Sequence, residues 1–408
     1  MSSLTTTKGA SLAALAAIVV TATFGARASN SVIPSYAQLL GKQFHFTATE
    51  IGLLAVGFMF SSFVASAMIN ARLRGEARRR YFVASAATYA VVYSLFYFAN
   101  RYLIWPVIIV AGLAMGPIMP NIMTSAGSVE DVRARERLLS LYTLTLSVSL
   151  LVAQAAAGIA LKYVSVREGF LVMEPLAVLV AVSAPFLPFP KEAPAQGRGR
   201  ARQSARGILA NEGFLASVLN NLTYQVPFSY LTAFAAVYAV YSLGAKGWLA
   251  VLAYAPFYAT SLASRLYMTV RPPRDLVASM TLAPLITVAG LALAWASRSL
   301  AAFYAAMAIL GIPHGMTYTL SVLAISRTFR REELNAANSY FFSTMMALGS
   351  ALPAALGAAA DAIGYRAVFL AIIPVVLGVL AATLYFARRA VALRSPYIAA
   401  GAPSSQGA

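Results

Sequence analysis

Twelve apolar runs divide this chain, and their length is the feature that most restricts its fold. Each covers about 19 to 30 residues, enough for a helix rising about 1.5 Å per residue to cross about 30 Å of hydrocarbon. The runs fall at 10–40, 51–70, 81–99, 103–126, 138–161 and 170–188, then at 214–243, 248–270, 276–296, 300–325, 334–360 and 367–387. With 60% hydrophobic and 11% charged residues, a soluble globule of this length would lack polar surface. The expected class is an all-α membrane protein.

The runs come in two sets. A shift of 199 positions places Gly158 on Gly357, Arg167 on Arg366, Phe170 on Phe369, Leu171 on Leu370 and Pro175 on Pro374. It also places the pair Gly112 and Gly116 on Gly311 and Gly315, each a GxxxG that lets helices approach backbone to backbone. Two sequential, parallel copies of one six-helix unit are implied. The expected division is 1–190 for the first bundle, 191–212 for a flexible basic linker, 213–394 for the second bundle and 395–408 for a disordered tail.

The formal charge of +18 does not form a nucleic-acid face, because the cations punctuate apolar runs instead of gathering on one patch. With a cytoplasmic N-terminus, 22 of the 31 Lys and Arg residues fall in cytoplasmic segments and 7 on the opposite side. That bias puts both termini in the cytoplasm. A competing reading of the start is a signal peptide, with Ala26-Arg27-Ala28 imitating its cleavage site. Cysteine is absent, which removes disulfides, thiolate metal ligands and a cysteine nucleophile. No nucleophile–base pair, phosphate loop or metal-ligand spacing is present, so neither an enzyme, a metal nor a cofactor is expected.

Two six-helix copies joined by a basic loop resemble the major facilitator superfamily of secondary transporters. The most specific local match is the series Gly349, Gly357, Asp361, Gly364, Tyr365, Arg366 and Phe369, similar to that family's eleventh helix and following turn. Arg135-Glu136-Arg137 and Arg331-Glu332-Glu333 also resemble family loops. The loop after the second helix keeps the family's basic residues, Arg72, Arg74, Arg78 and Arg79, and lacks its Asp. The fifth helix lacks the Gly-Pro of the family's antiporters. The resemblance implies that helices 1, 4, 7 and 10 line a central path, with 2, 5, 8 and 11 flanking it.

Arg27 is the most informative single residue, since a charge inside a membrane run costs several kcal/mol unless it meets protein, water or ligand. Helical spacing sets Thr23, Arg27, Asn30, Ser31 and Pro34 on one stripe. The bland alternative is an early helix end that lets Arg27 snorkel. On the eighth run Tyr254, Tyr258, Ser261 and Arg265 share a face, and an Arg there resembles the substrate-binding Arg of the monocarboxylate and oxalate carriers. Arg265 is also near enough to the boundary to snorkel.

No Asp or Glu occupies the middle of helices 1, 4, 5, 7, 8, 10 or 11, so a small organic anion is the expected partner of the two arginines. Asn221 and Gln225 on helix 7, Tyr318 on helix 10 and Asn121 on helix 4 are the uncharged candidates for the pocket; such residues also glue helices together. His314 and Glu174 are candidates for proton coupling, each with a structural role as the alternative. The expectation is a monomeric secondary transporter of a monocarboxylate-like solute in the cytoplasmic membrane. An efflux carrier for hydrophobic compounds is the rival within transport, and a non-transporting receptor of the same fold is the rival outside it.

Overall fold

A computed structural model describes residues 12–73, 75–127, 129, 131–189, 205–329 and 333–394. The first half comprises α1 (Leu12–Gln43), α2 (Ala48–Arg72), α3 (Gly75–Phe98), α4 (Ile104–Gly127), α5 (Val132–Ala160) and α6 (Val166–Phe186). The second comprises α7 (Glu212–Leu243), α8 (Gly247–Leu252 and Tyr254–Val270), α9 (Leu276–Ala296), α10 (Leu300–Thr328), α11 (Leu334–Ile363) and α12 (Tyr365–Arg389). Among the described residues eleven helices are long and apolar enough to cross a bilayer. The twelfth run is α8, which breaks at Ala253 because Pro256 offers no N–H to the Leu252 carbonyl.

Local chemistry sets the ends. Thr47 and Ser165 close capping boxes at the starts of α2 and α6, and the Asn211, Asp275 and Ser299 side chains accept N–H groups at the starts of α7, α9 and α10. The turns 44–47, 161–165 and 244–246 and the single residue Gly364, with φ of 82°, gather at one end of the bundle. Arg78, Arg135, Arg271, Arg274, Arg327 and Arg388 lie at the other, called here the basic end. Lys8, most of the expected linker and the tail fall outside the described residues. Within 205–212 the chain forms a short helix, Ala205–Leu209, before α7 begins.

Packing repeats between the halves. The pairs α1–α5, α1–α6, α2–α4, α3–α4 and α3–α6 recur as α7–α11, α7–α12, α8–α10, α9–α10 and α9–α12. The repeat extends to atoms: a Cβ added at Gly112 would strike the Phe58 carbonyl and the Ser61 hydroxyl, and one at Gly311 would strike the Phe257 carbonyl and the Thr260 hydroxyl. Phe58 to Phe257 and Ser61 to Thr260 are separated by the same 199 positions as the glycines themselves.

The halves meet along two seams, α2 with α11 and α5 with α8, and through α1 with α7. Their tightest contacts lie toward the short turns. A Cβ at Gly52 would collide with the Pro353 carbonyl, and one at Gly357 with the Ala48 carbonyl. Toward the basic end, the second part of α4 (Ile118–Gly127) packs on α1, α3 and α5, and α10 packs on α7, α8, α9 and α11, each inside its own half. The halves are therefore packed backbone to backbone toward the short-turn end.

Candidate functional site

Arg27 stands at the midpoint of α1, which runs unbroken from Leu12 to Gln43; an early helix end is excluded, and so is an easy reach to either surface. Ala26, Arg27 and Ala28, which in the competing reading imitate a cleavage site, are interior to this helix, which packs against α5 and α6. Arg27 and Asn30 are half-buried and line a cavity of about 220 Å³ between the halves. Among the described residues Arg27 forms no ion pair and no hydrogen bond with the protein. The buried Asn30 Oδ1 likewise has no partner.

The wall divides into polar groups already spent on the protein and groups left free. Gln38, 2% exposed, was not singled out by sequence reasoning, yet it is the most connected side chain of the cavity. Its Oε1 accepts the backbone N–H groups of Ala236 at 3.1 Å and Val237 at 3.2 Å, while its Nε2 donates to the Thr232 carbonyl at 3.1 Å and the Tyr254 hydroxyl at 3.2 Å. Gln154 on α5 is spent too, donating to the Ser31 carbonyl and accepting from Ser35 at 3.3 Å. Gln38 extends the stripe of α1 that carries Arg27; the spacing Arg27, Ser31, Pro34, Gln38 was the available signal.

The face expected on α8 exists, with unequal roles along it. The Tyr254 hydroxyl donates to the Leu231 carbonyl at 2.7 Å. Tyr258, one turn further, lines the cavity and makes no hydrogen bond among the described residues, so its hydroxyl remains available. Ser261 lies 2.7 Å from Nδ1 of His314, whose ring is enclosed by Phe228, Phe257, Tyr224 and Tyr258 at centroid distances of 4.6, 5.0, 5.7 and 5.9 Å. Arg265 is half-buried, just beyond the cavity lining, and donates to Ser147 of α5 at 3.2 Å. It lies within electrostatic range of Arg27, Tyr258 and Tyr318.

Of the remaining candidates, Gln225 lines the cavity with its amide unbonded among the described residues. Asn221 is buried outside the lining and directs its amide at the Met345 sulfur, 2.9 Å away. Tyr318 is 41% exposed beside Phe341 and Phe342 and outside the cavity lining. Asn121 is fully buried away from the cavity: it accepts from Arg78 Nε at 2.7 Å and donates to Asn70 at 2.8 Å. Glu174 accepts from Ser94 of α3 at 2.6 Å, on the outer side of the first half. The structure thus gathers Arg27, Tyr254, Tyr258 and Gln225 at one cavity, holds Arg265, His314 and Tyr318 beside it, and places Asn121, Asn221 and Glu174 elsewhere.

What the cavity offers a ligand is one guanidinium, the Tyr258 and Ser229 hydroxyls, the Gln225 amide and the Asn30 side-chain oxygen, with no carboxylate on its wall. Five N–H donors in a planar fork match an oxyanion. Among the described residues no group of three or more His, Cys, Asp or Glu side chains is placed to hold a metal.

No curated protein matches the chain in sequence. Solved structures of similar shape include a bacterial homolog to the human lysosomal transporter Spinster, inward-facing and occupied, at 15% identity over 95% of this chain and 98% of that one, TM-score 0.73. The same homolog, inward-facing and unoccupied, gives 15% over 95% and 99%, TM-score 0.74. The nucleoside transporter NupG gives 13% over 91% and 98%, TM-score 0.66. At such identities the likeness is one of fold. The family model described as Major Facilitator Superfamily matches residues 15–352, and with two six-helix halves closing on a central cavity the chain belongs to the Major Facilitator Superfamily, a family of membrane transporters and not of enzymes.

Proposed function

We propose that the protein is a secondary transporter that moves a small organic anion, monocarboxylate-like, across the cytoplasmic membrane by rocking its halves about the central cavity. The observation that carries this is Arg27: a positive charge at the midpoint of a membrane-length helix with no ion-pair partner among the described residues. A cargo carboxylate supplies the missing negative charge through two parallel hydrogen bonds, and Arg265 adds to the positive potential along the approach. His314 and Glu174 remain the candidates for proton coupling. The basic end faces the cytoplasm by its excess of Lys and Arg. Each chain holds its own cavity between its own halves, consistent with a working monomer.

Efflux of wholly hydrophobic compounds is the second reading, favoured by the apolar side chains that α2 presents to the cavity. It ranks below the first because it leaves Arg27 desolvated without a counter-charge. The test is uptake into proteoliposomes of carboxylates, phosphate esters and neutral sugars by the native protein and Arg27→Gln. Selective carboxylate uptake that Arg27→Gln abolishes is expected; equal uptake of a neutral sugar by both proteins overturns the anion assignment.

A further inference from the structure

The cavity is two-sided. Every lining residue from α2, namely Ile51, Leu54, Ala55, Phe58 and Met59, is apolar, and their spacing of i, i+3, i+4, i+7 and i+8 makes one continuous helical face. Ile108 of α4 and Pro353 of α11 extend it. This wall borders the α2–α11 seam and offers no side-chain donor or acceptor. Arg27, Asn30, Tyr258 and Ser229, polar lining groups left free, come from α1, α8 and α7. Gln225 marks the frontier: a Cβ built at Gly349 would lie 2.9 Å from Gln225 Nε2 and 3.5 Å from Met59 Cε.

Resting on the anion assignment above, we infer that the cargo is an amphipathic monocarboxylate, its head held by Arg27 and Tyr258 and its hydrocarbon part seated on the α2 face. A compact hydrophilic anion such as acetate satisfies Arg27 and leaves the α2 wall facing water. A hydrocarbon tail removes that water, and each methylene fully buried strengthens binding by about fourfold. A second charge or a hydroxyl at the tail end would meet no partner on that wall and be excluded.

The test is binding of acetate, butyrate, hexanoate and octanoate, and of the matching primary amides, to the full chain in lipid nanodiscs, repeated with Met59→Ser and Arg27→Gln. Expected is affinity that climbs along the acids by up to about fourfold per methylene, with each amide far weaker than its acid. Met59→Ser flattens the climb and keeps the acid preference; Arg27→Gln removes the preference. Acids that bind alike at every length, all above their amides, overturn the amphipathic cargo and leave the anion assignment standing. Amides that bind as tightly as acids overturn the anion assignment and this inference with it. If either variant fails to fold, the native series still decides, because the slope and the acid-to-amide ratio are both read within one protein.

Discussion

Asp361, at the end of α11, accepts hydrogen bonds from both the hydroxyl and the backbone N–H of Thr49, at 2.6 and 2.8 Å, across the seam between the halves. Its other oxygen accepts the Ala48 N–H at 2.7 Å, so a carboxylate of one half caps the positive end of α2 in the other. Releasing the short-turn end means breaking these charge-assisted bonds. Asp361→Asn is therefore expected to favour opening on that side by on the order of tenfold. The chain lacks cysteine, so Ser229→Cys introduces a single thiol at the cavity, and its labelling rate by a reagent added from the short-turn side reads the shift. An unchanged rate would show that the cap does not hold the seal.

Gln38 uses both ends of its amide, accepting from α7 N–H groups and donating to the Thr232 carbonyl, so it bridges the two partners of one helical rung, residues 232 and 236. Gln38→Glu keeps the acceptor and turns a carboxylate oxygen toward carbonyl oxygens. Initial transport rates per molecule in proteoliposomes are expected to fall at least about tenfold, with the protein still reaching the membrane. Gln38→Leu is expected to lower thermal stability as well, since the Ala236 and Val237 N–H groups lose this acceptor.

Gly311→Ala places a methyl group against the Phe257 carbonyl, which cannot rotate away. A cost of about 1–3 kcal/mol follows, visible as a fall of several degrees in the detergent-solubilised melting temperature. Gly378 on α12 has open space where its Cβ would go, so Gly378→Ala is expected to be neutral or slightly stabilising.

The glycine pairs were legible in the sequence because the repeat marks them twice, and the structure gives the reason: identical backbone collisions at positions 199 apart. Arg27 was legible because a charge inside an apolar run is conspicuous on its own. Asn121 shows the limit. A polar residue aimed at a cavity and one aimed at a buried guanidinium leave the same mark on a helix, and only the fold brings Arg78 to Asn121. Gln38 was overlooked for the converse reason: its partners lie on α7, almost 200 residues away, and no local spacing names them. The break in α8 was foreshadowed by Pro256, whose missing N–H a hydropathy run does not register.

His314 and Glu174 separate by position. His314 sits beside the cavity, within electrostatic range of Arg27 and Arg265, while Glu174 is bonded to Ser94 away from it. His314→Gln is expected to abolish accumulation driven by an imposed pH gradient and to spare solute exchange without a gradient. Glu174→Gln is expected to change neither. Gradient-driven accumulation that survives His314→Gln and disappears in Glu174→Gln would reverse the assignment.

The central claim is that the unpaired charge of Arg27 selects the cargo, and calorimetric titration of the purified protein with hexanoate and with hexanamide tests it most directly. The two ligands share shape and apolar area and differ in charge. A native protein that prefers the acid by about a hundredfold or more, with the preference lost in Arg27→Gln, is the expected result. Equal affinity for acid and amide in the native protein, or a preference that survives Arg27→Gln, would contradict it.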